Sequence, residues 1–157
     1  MTRPVAFLVL VAIVLGACGD DDEAGSSCTE LREPEDPASV QHVVGATGFQ
    51  YQSYPPTSGP HVGIVAPTGV QDGPLLPAVQ VRILEQGSAL VQYDAAVVDR
   101  TAVEAFADPD TVVAPATDLP APVTVTAWTW KLTCSSVDEE RIARFIENRP
   151  AGAPGAD

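Results

Sequence analysis

Basic residues are scarce in this chain: eight Lys and Arg stand against 21 Asp and Glu, a net charge of −13. A polypeptide this acidic is repelled by phosphate backbones and anionic headgroups, so nucleic-acid binding and charge-driven adsorption to lipid are not expected. Histidine is limited to His42 and His61, and cysteine to three residues. No Gly-x-Ser-x-Gly elbow, His-Glu-x-x-His signature or phosphate-binding glycine loop occurs. Ser58 precedes His61 by three positions in a proline-rich stretch, which does not make a triad. No catalytic residue is assigned, and the chain is not expected to be an enzyme. The long apolar run, Val5 to Leu15, falls well short of the roughly 20 residues that a spanning helix needs.

That run has the length of an export signal, with Arg3 before it as a thin positive region. It closes on Leu15-Gly16-Ala17-Cys18, a lipobox: small residues precede the cysteine at which a peptidase would cut. Residues 1–17 are thus expected to be a lipoprotein signal peptide, and Cys18 to carry the lipid. The mature protein is placed at the extracytoplasmic face of a bacterial cell membrane, bound to it through that anchor. Loss of Arg3 takes one charge from the basic total and moves the net charge from −13 to −14. Residues 18–38 open with Gly19-Asp20-Asp21-Asp22-Glu23 and carry little that could form a core, so they are expected to be an acidic flexible tether.

With Cys18 lipidated, Cys28 and Cys134 remain as an even pair in an oxidising compartment and are expected to form a disulfide. Residues 39–150 suit one globular domain with a modest core, and residues 151–157 a disordered tail. Val79, Val81 and Ile83 alternate with Gln80 and Arg82, so Val79–Leu84 is expected to be a strand, paired through Glu85-Gln86-Gly87 with Ser88–Tyr93. Asp99 can cap a short helix bearing Ala102, Val103 and Phe106. Thr111–Ala114 and the β-branched, aromatic Val123–Trp130 are further strands, the second placing Trp128 and Trp130 on one face by period two. Ser136 and Glu139 form a capping box for a last helix that buries Ile142, Phe145 and Ile146 and stops at Pro150. The order predicts an α+β fold: a small, largely antiparallel sheet with two helices packed on it.

The segment Tyr54-Pro55-Pro56-Thr57-Ser58-Gly59-Pro60-His61 is followed by Val81-Arg82-Ile83-Leu84-Glu85-Gln86-Gly87 and then Tyr93-Asp94. Together with Ala127-Trp128, Cys134 and the helix carrying Phe145-Ile146, these resemble the bacterial domain-of-unknown-function 3105 family. Its members show PPTSGPH and then VHNLEHG ahead of a strand ending in Tyr-Asp. The likeness runs from about Gln41 to Pro150 and implies an exported or membrane-anchored protein without an assigned biochemical role. The family pattern also implies three histidines and a glutamate that together could hold zinc, copper or nickel.

This chain keeps His61 and Glu85 but has Arg82 and Gln86 at the other two histidine positions. Arginine offers no lone pair and repels a cation. No cofactor and no tight zinc or copper binding are expected; His42, His61 and Glu85 are the residues that a metal would need. His61, Arg82, Glu85 and Gln86 form the candidate ligand-binding cluster, in which Arg82 and Glu85 can pair or Arg82 can grip a small carboxylate or phosphate. Two readings follow. One is a structural or interaction module with a degenerate family site; the other is a small-ligand or metal-binding envelope lipoprotein centred on His61 and Glu85. The sequence names neither a protein partner nor a small molecule.

Overall fold

The structure is a computed structural model, and it describes residues 27–154. Five strands form the main sheet, in the order β1 (Cys28–Arg32), β7 (Trp130–Cys134), β6 (Val123–Ala127), β4 (Ala89–Tyr93) and β5 (Thr111–Pro115). All neighbours are antiparallel except β4 and β5, which run parallel across a connection containing two short 3₁₀ turns, Arg100–Ala102 and Glu104–Phe106. Asp99 caps the first turn by accepting from the Thr101 amide at 2.9 Å. The fold is the expected α+β one.

Alternation along β4 divides the core. Ala89, Val91 and Tyr93 face helix α2 (Glu139–Glu147), which buries Ile142, Phe145 and Ile146 against Val125, Leu132 and Val113. Leu90 points the other way, to Val112, Ala114 and helix α1 (Pro77–Glu85), which contributes Val81, Ile83 and Leu84. Each helix therefore covers one face of the sheet. Asp138, rather than Ser136, caps α2, accepting from the Arg141 amide at 3.1 Å.

Helix α1 overturns the strand expected over Val79–Leu84. Pro77 stands where a missing N–H costs nothing, and Gly87 follows the last turn with a φ of 85°. The alternation misled because α1 is buried on more than one side: Ala78, Gln80, Val81, Ile83, Leu84 and Glu85 are all buried, leaving no clean polar stripe. The segment Val123–Trp130 is also not one strand. It turns at Trp128 and Thr129, the latter at a φ of 59°, so that Ala127 pairs with Trp130 across a hairpin. The two tryptophans consequently separate: Trp128 packs toward α1, while Trp130 packs on Phe145 beneath the Arg32 guanidinium. They do not share the strand face that period two assigned them.

The domain starts earlier than residue 39, because Cys28–Arg32 of the expected tether pairs along the whole of β7. Cys28 lies opposite Cys134 in that register, and the two are joined by the expected disulfide. Part of the expected tail is also docked: the Ala153 amide donates to the Glu85 carbonyl at 3.0 Å, and Ala153 packs on the α1 side of the core. The signal segment 1–17, Cys18 and the acidic run to Ser26 lie outside the described residues. Among the described residues no helix is long and apolar enough to cross a membrane.

Candidate functional site

A second, two-stranded ribbon carries the chain's two histidines. Strands β2 (His42–Val43) and β3 (His61–Val62) run parallel with His42 opposite His61. The imidazoles meet edge to face with ring centroids 4.6 Å apart. Proximity that the sequence left open is thus supplied by four residues of backbone.

The segment leading into β3 is held from several sides. Pro55 through Pro60 are buried, and the Tyr51 hydroxyl donates to the Pro60 carbonyl at 2.8 Å. Burial, with the nearby charge of Asp36, raises the Tyr51 phenol above its ordinary value. Gly59 sits at a φ of 127° with the Tyr51 ring 3.0 Å from where a Cβ would be, so glycine is required there. Beneath, Glu33 accepts from Thr57 at 2.6 Å and Ser53 at 2.7 Å, and pairs with Lys131 at 2.8 Å. Burial pushes the Glu33 carboxyl up, but the bonds from Lys131, Thr57 and Ser53 outweigh it and hold the group below its ordinary value.

Glu85, the last residue of α1, reaches the ribbon. Its Oε2 lies 3.1 Å from His61 Nε2 and accepts from Arg82 at 2.5 Å, while Oε1 lies 3.9 Å from His42 Nε2. One nitrogen from each histidine and one Glu85 oxygen all fall within 4.8 Å of one another. His61 is 1% exposed, whereas the His42 side chain is 59% exposed and closes the group from the solvent side.

The tautomer of His61 follows from its other nitrogen. Nδ1 lies 3.1 Å from the Gly59 carbonyl, which can only accept, so Nδ1 carries the hydrogen. On the neutral ring Nε2 is then the lone-pair nitrogen; it is buried and lies 3.1 Å from the Glu85 carboxylate. Two lone pairs facing at such a distance call for an electrophile between them, a proton or a metal ion. An imidazole whose far N–H is fixed by a carbonyl is also the arrangement in which histidine binds metals.

These groups line a cavity of about 220 Å³ together with Glu35, Ser39, Val40, Trp128, Ala153 and Pro154. Ser39 and Trp128 are buried residues of that lining, and Ser39 Oγ and Trp128 Nε1 have no hydrogen-bond partner among the described residues. A somewhat larger cavity, about 270 Å³, lies beside Glu33 and Ser53. Its carboxylate and hydroxyls already satisfy one another, so it asks for no ligand.

The expected cluster divides accordingly. His61 and Glu85 face the cavity, and His42 joins them. Arg82 stands behind Glu85, with its Nε donating to the Ile64 carbonyl at 2.9 Å, and does not line the cavity. Gln86 is the exposed C-cap of α1 and takes no part. Ser39 and Trp128 were not foreseen as site residues. Nothing near Ser39 distinguishes it in sequence, and Trp128 is carried inward by a hairpin turn that the β-rich composition concealed.

The family described as protein of unknown function (DUF3105) matches residues 42–156, which include His42, His61, Glu85 and Trp128. The chain belongs to this family. The family description names no biochemical role. No curated protein and no solved structure matches the chain.

Proposed function

We propose that this DUF3105 member is a lipid-anchored, extracytoplasmic binding protein whose cavity takes a divalent transition-metal ion through His42, His61 and Glu85. One observation carries the reading: His61 Nε2, buried and 3.1 Å from a Glu85 oxygen, converges with a second imidazole and that carboxylate, all within 4.8 Å. Two imidazoles and one carboxylate are a recurrent zinc set that leaves a position open. Arg82 tempers the affinity, because its permanent charge already occupies Glu85 Oε2. Binding in the micromolar range fits this balance better than the far tighter hold of a structural zinc site. No catalytic step is assigned.

The export signal and lipobox support location at the outer face of the cytoplasmic membrane, with Cys18 as the anchored residue. The tag-free full chain in detergent micelles, titrated calorimetrically with zinc and with copper, is expected to bind one ion. His61→Ala is expected to abolish that binding without loss of the fold. A wild-type chain that binds neither ion returns the site to the structural or interaction reading, a module in which the Arg82–Glu85 pair pins α1 to the loop at Ile64.

A further inference from the structure

We infer that the metal-loaded cavity takes a small oxyanion, of the carboxylate class, as co-ligand on the metal; this rests on the metal reading above and deepens it. Two independent features lead there. The first is charge. Arg82 cancels the Glu85 carboxylate through its contact with Oε2, and the histidines are neutral when they ligate. A dication held there would keep most of its double charge, with two of its three ligands, His61 and Glu85, buried. Buried charge is costly unless it is paired, and among the described residues no second anion joins the converging ligand atoms. Glu35 lines the mouth but is exposed to solvent and stands outside that group. An anion from solution completes the balance.

The second feature is hydrogen bonding. Trp128 Nε1 can only donate, and it is buried without an acceptor among the described residues. Ser39 Oγ is in the same position and can donate also. An oxyanion bound to the metal through one oxygen presents further lone pairs to both donors. A bare cation satisfies neither. A metal ion with an acceptor-rich anion beside it, the anion displacing a metal-bound water, would offer His61 Nε2, Trp128 Nε1 and Ser39 Oγ partners together.

The test uses the tag-free full chain loaded with Co²⁺ in a non-coordinating buffer, with sodium acetate as the anionic probe. Visible d–d bands report the coordination of the cobalt. Acetate is expected to shift these bands saturably. Trp128→Phe is expected to weaken acetate five- to tenfold while leaving Co²⁺ affinity within twofold. Ser39→Ala gives the same split on a smaller scale and serves if the tryptophan variant does not fold. Arg82→Leu is expected to move the two affinities oppositely, raising that for Co²⁺ and lowering that for acetate. Bands that ignore acetate overturn the co-ligand and leave the metal site standing. A chain that takes up no Co²⁺ overturns both. Equal losses of metal and acetate in Trp128→Phe and Ser39→Ala also sink the inference, since those residues would then shape the cavity rather than hold the anion.

Discussion

Lys131 is the chain's single lysine, and it is almost fully buried, bonded to Glu33 at 2.8 Å and to the Ser53 hydroxyl at 3.0 Å. Replacing it with methionine keeps the length and apolar stem of the side chain but leaves the Glu33 carboxylate without its cation. Removing one partner of a buried ion pair costs about 3–5 kcal/mol. Glu33 retains the hydroxyl donors Ser53 and Thr57, and its side chain is 13% exposed. A loss near the lower end, about 3 kcal/mol, is therefore expected. In a domain of this size each kcal/mol moves the melting temperature by about 3–4 °C, so Lys131→Met should melt roughly 10 °C below wild type.

The pH dependence supplies a second readout. The Glu33 carboxyl titrates below its ordinary value in the folded protein, so its stabilisation is complete at neutral pH, above the unfolded value. It is lost as the pH falls through the folded value, below the ordinary carboxylate range. The gap between wild type and variant should accordingly narrow on acidification. Adding Glu33→Gln to Lys131→Met should recover most of the loss, because no unpaired charge then stays buried. Urea melts of the oxidised full chain at pH 7 and pH 3 measure all three. A single-variant loss under about 1 kcal/mol, the scale of an exposed ion pair, would refute the reasoning, as would a gap that does not change with pH.

Other perturbations act on the same frame. The Cys28–Cys134 bridge spans 106 positions, so replacing both cysteines with serine should remove roughly 4–5 kcal/mol on the chain-entropy model, measured against the oxidised wild type by urea melts. Gly152 has a φ of 109°, and a methyl there would press on the Glu85 carbonyl and come 2.7 Å from the Gly87 amide. Gly152→Ala should thus undock the tail, cost about 2 kcal/mol and render the C-terminus sensitive to protease. Because Arg82 binds Glu85 Oε2 from one turn earlier in α1, Arg82→His, which frees that oxygen, should raise zinc affinity at least tenfold, as read by calorimetry. An unchanged affinity would separate this helix face from metal binding altogether.

Much of the sheet was legible because its signals are local. Val91, Val113 and Val125 lie in β-rich segments whose alternation survives in the structure, and Ile142, Phe145 and Ile146 mark α2 by helical spacing. Helix α1 was not legible as a helix, since β-branched Val79, Val81 and Ile83 alternate by chance with Gln80 and Arg82. Only the bracketing Pro77 and Gly87 carried the correct message. Strand β1 was hidden differently. Thr29–Arg32 is exposed along an edge, so it shows no buried periodicity, and it pairs with a strand about a hundred residues later.

The site shows the same division between local and non-local information. His61 and Glu85 stood out as chemistry-bearing residues in distinctive segments, and the structure brings them to 3.1 Å. His42 reaches them through register alone, in a ribbon two residues long that no pattern announces. Ser39 and Trp128 are invisible as ligand-facing groups because being unpartnered is a property of surroundings, not of residue type. The tail residue Ala153 belongs to the site through one backbone bond to Glu85.

Arg82 gives the arrangement its direction. Had histidine stood there, a further neutral ligand would have approached Glu85, and a cation alone could have been held tightly. Arginine instead pairs with the carboxylate and with the Ile64 carbonyl, so a metal bound as proposed would need part of its neutralising charge from a further ligand. The donors left over, Trp128 Nε1 and Ser39 Oγ, are of the kind that an incoming anion would use. On the proposed reading, a guanidinium at position 82 changes what the cavity can hold rather than simply emptying it.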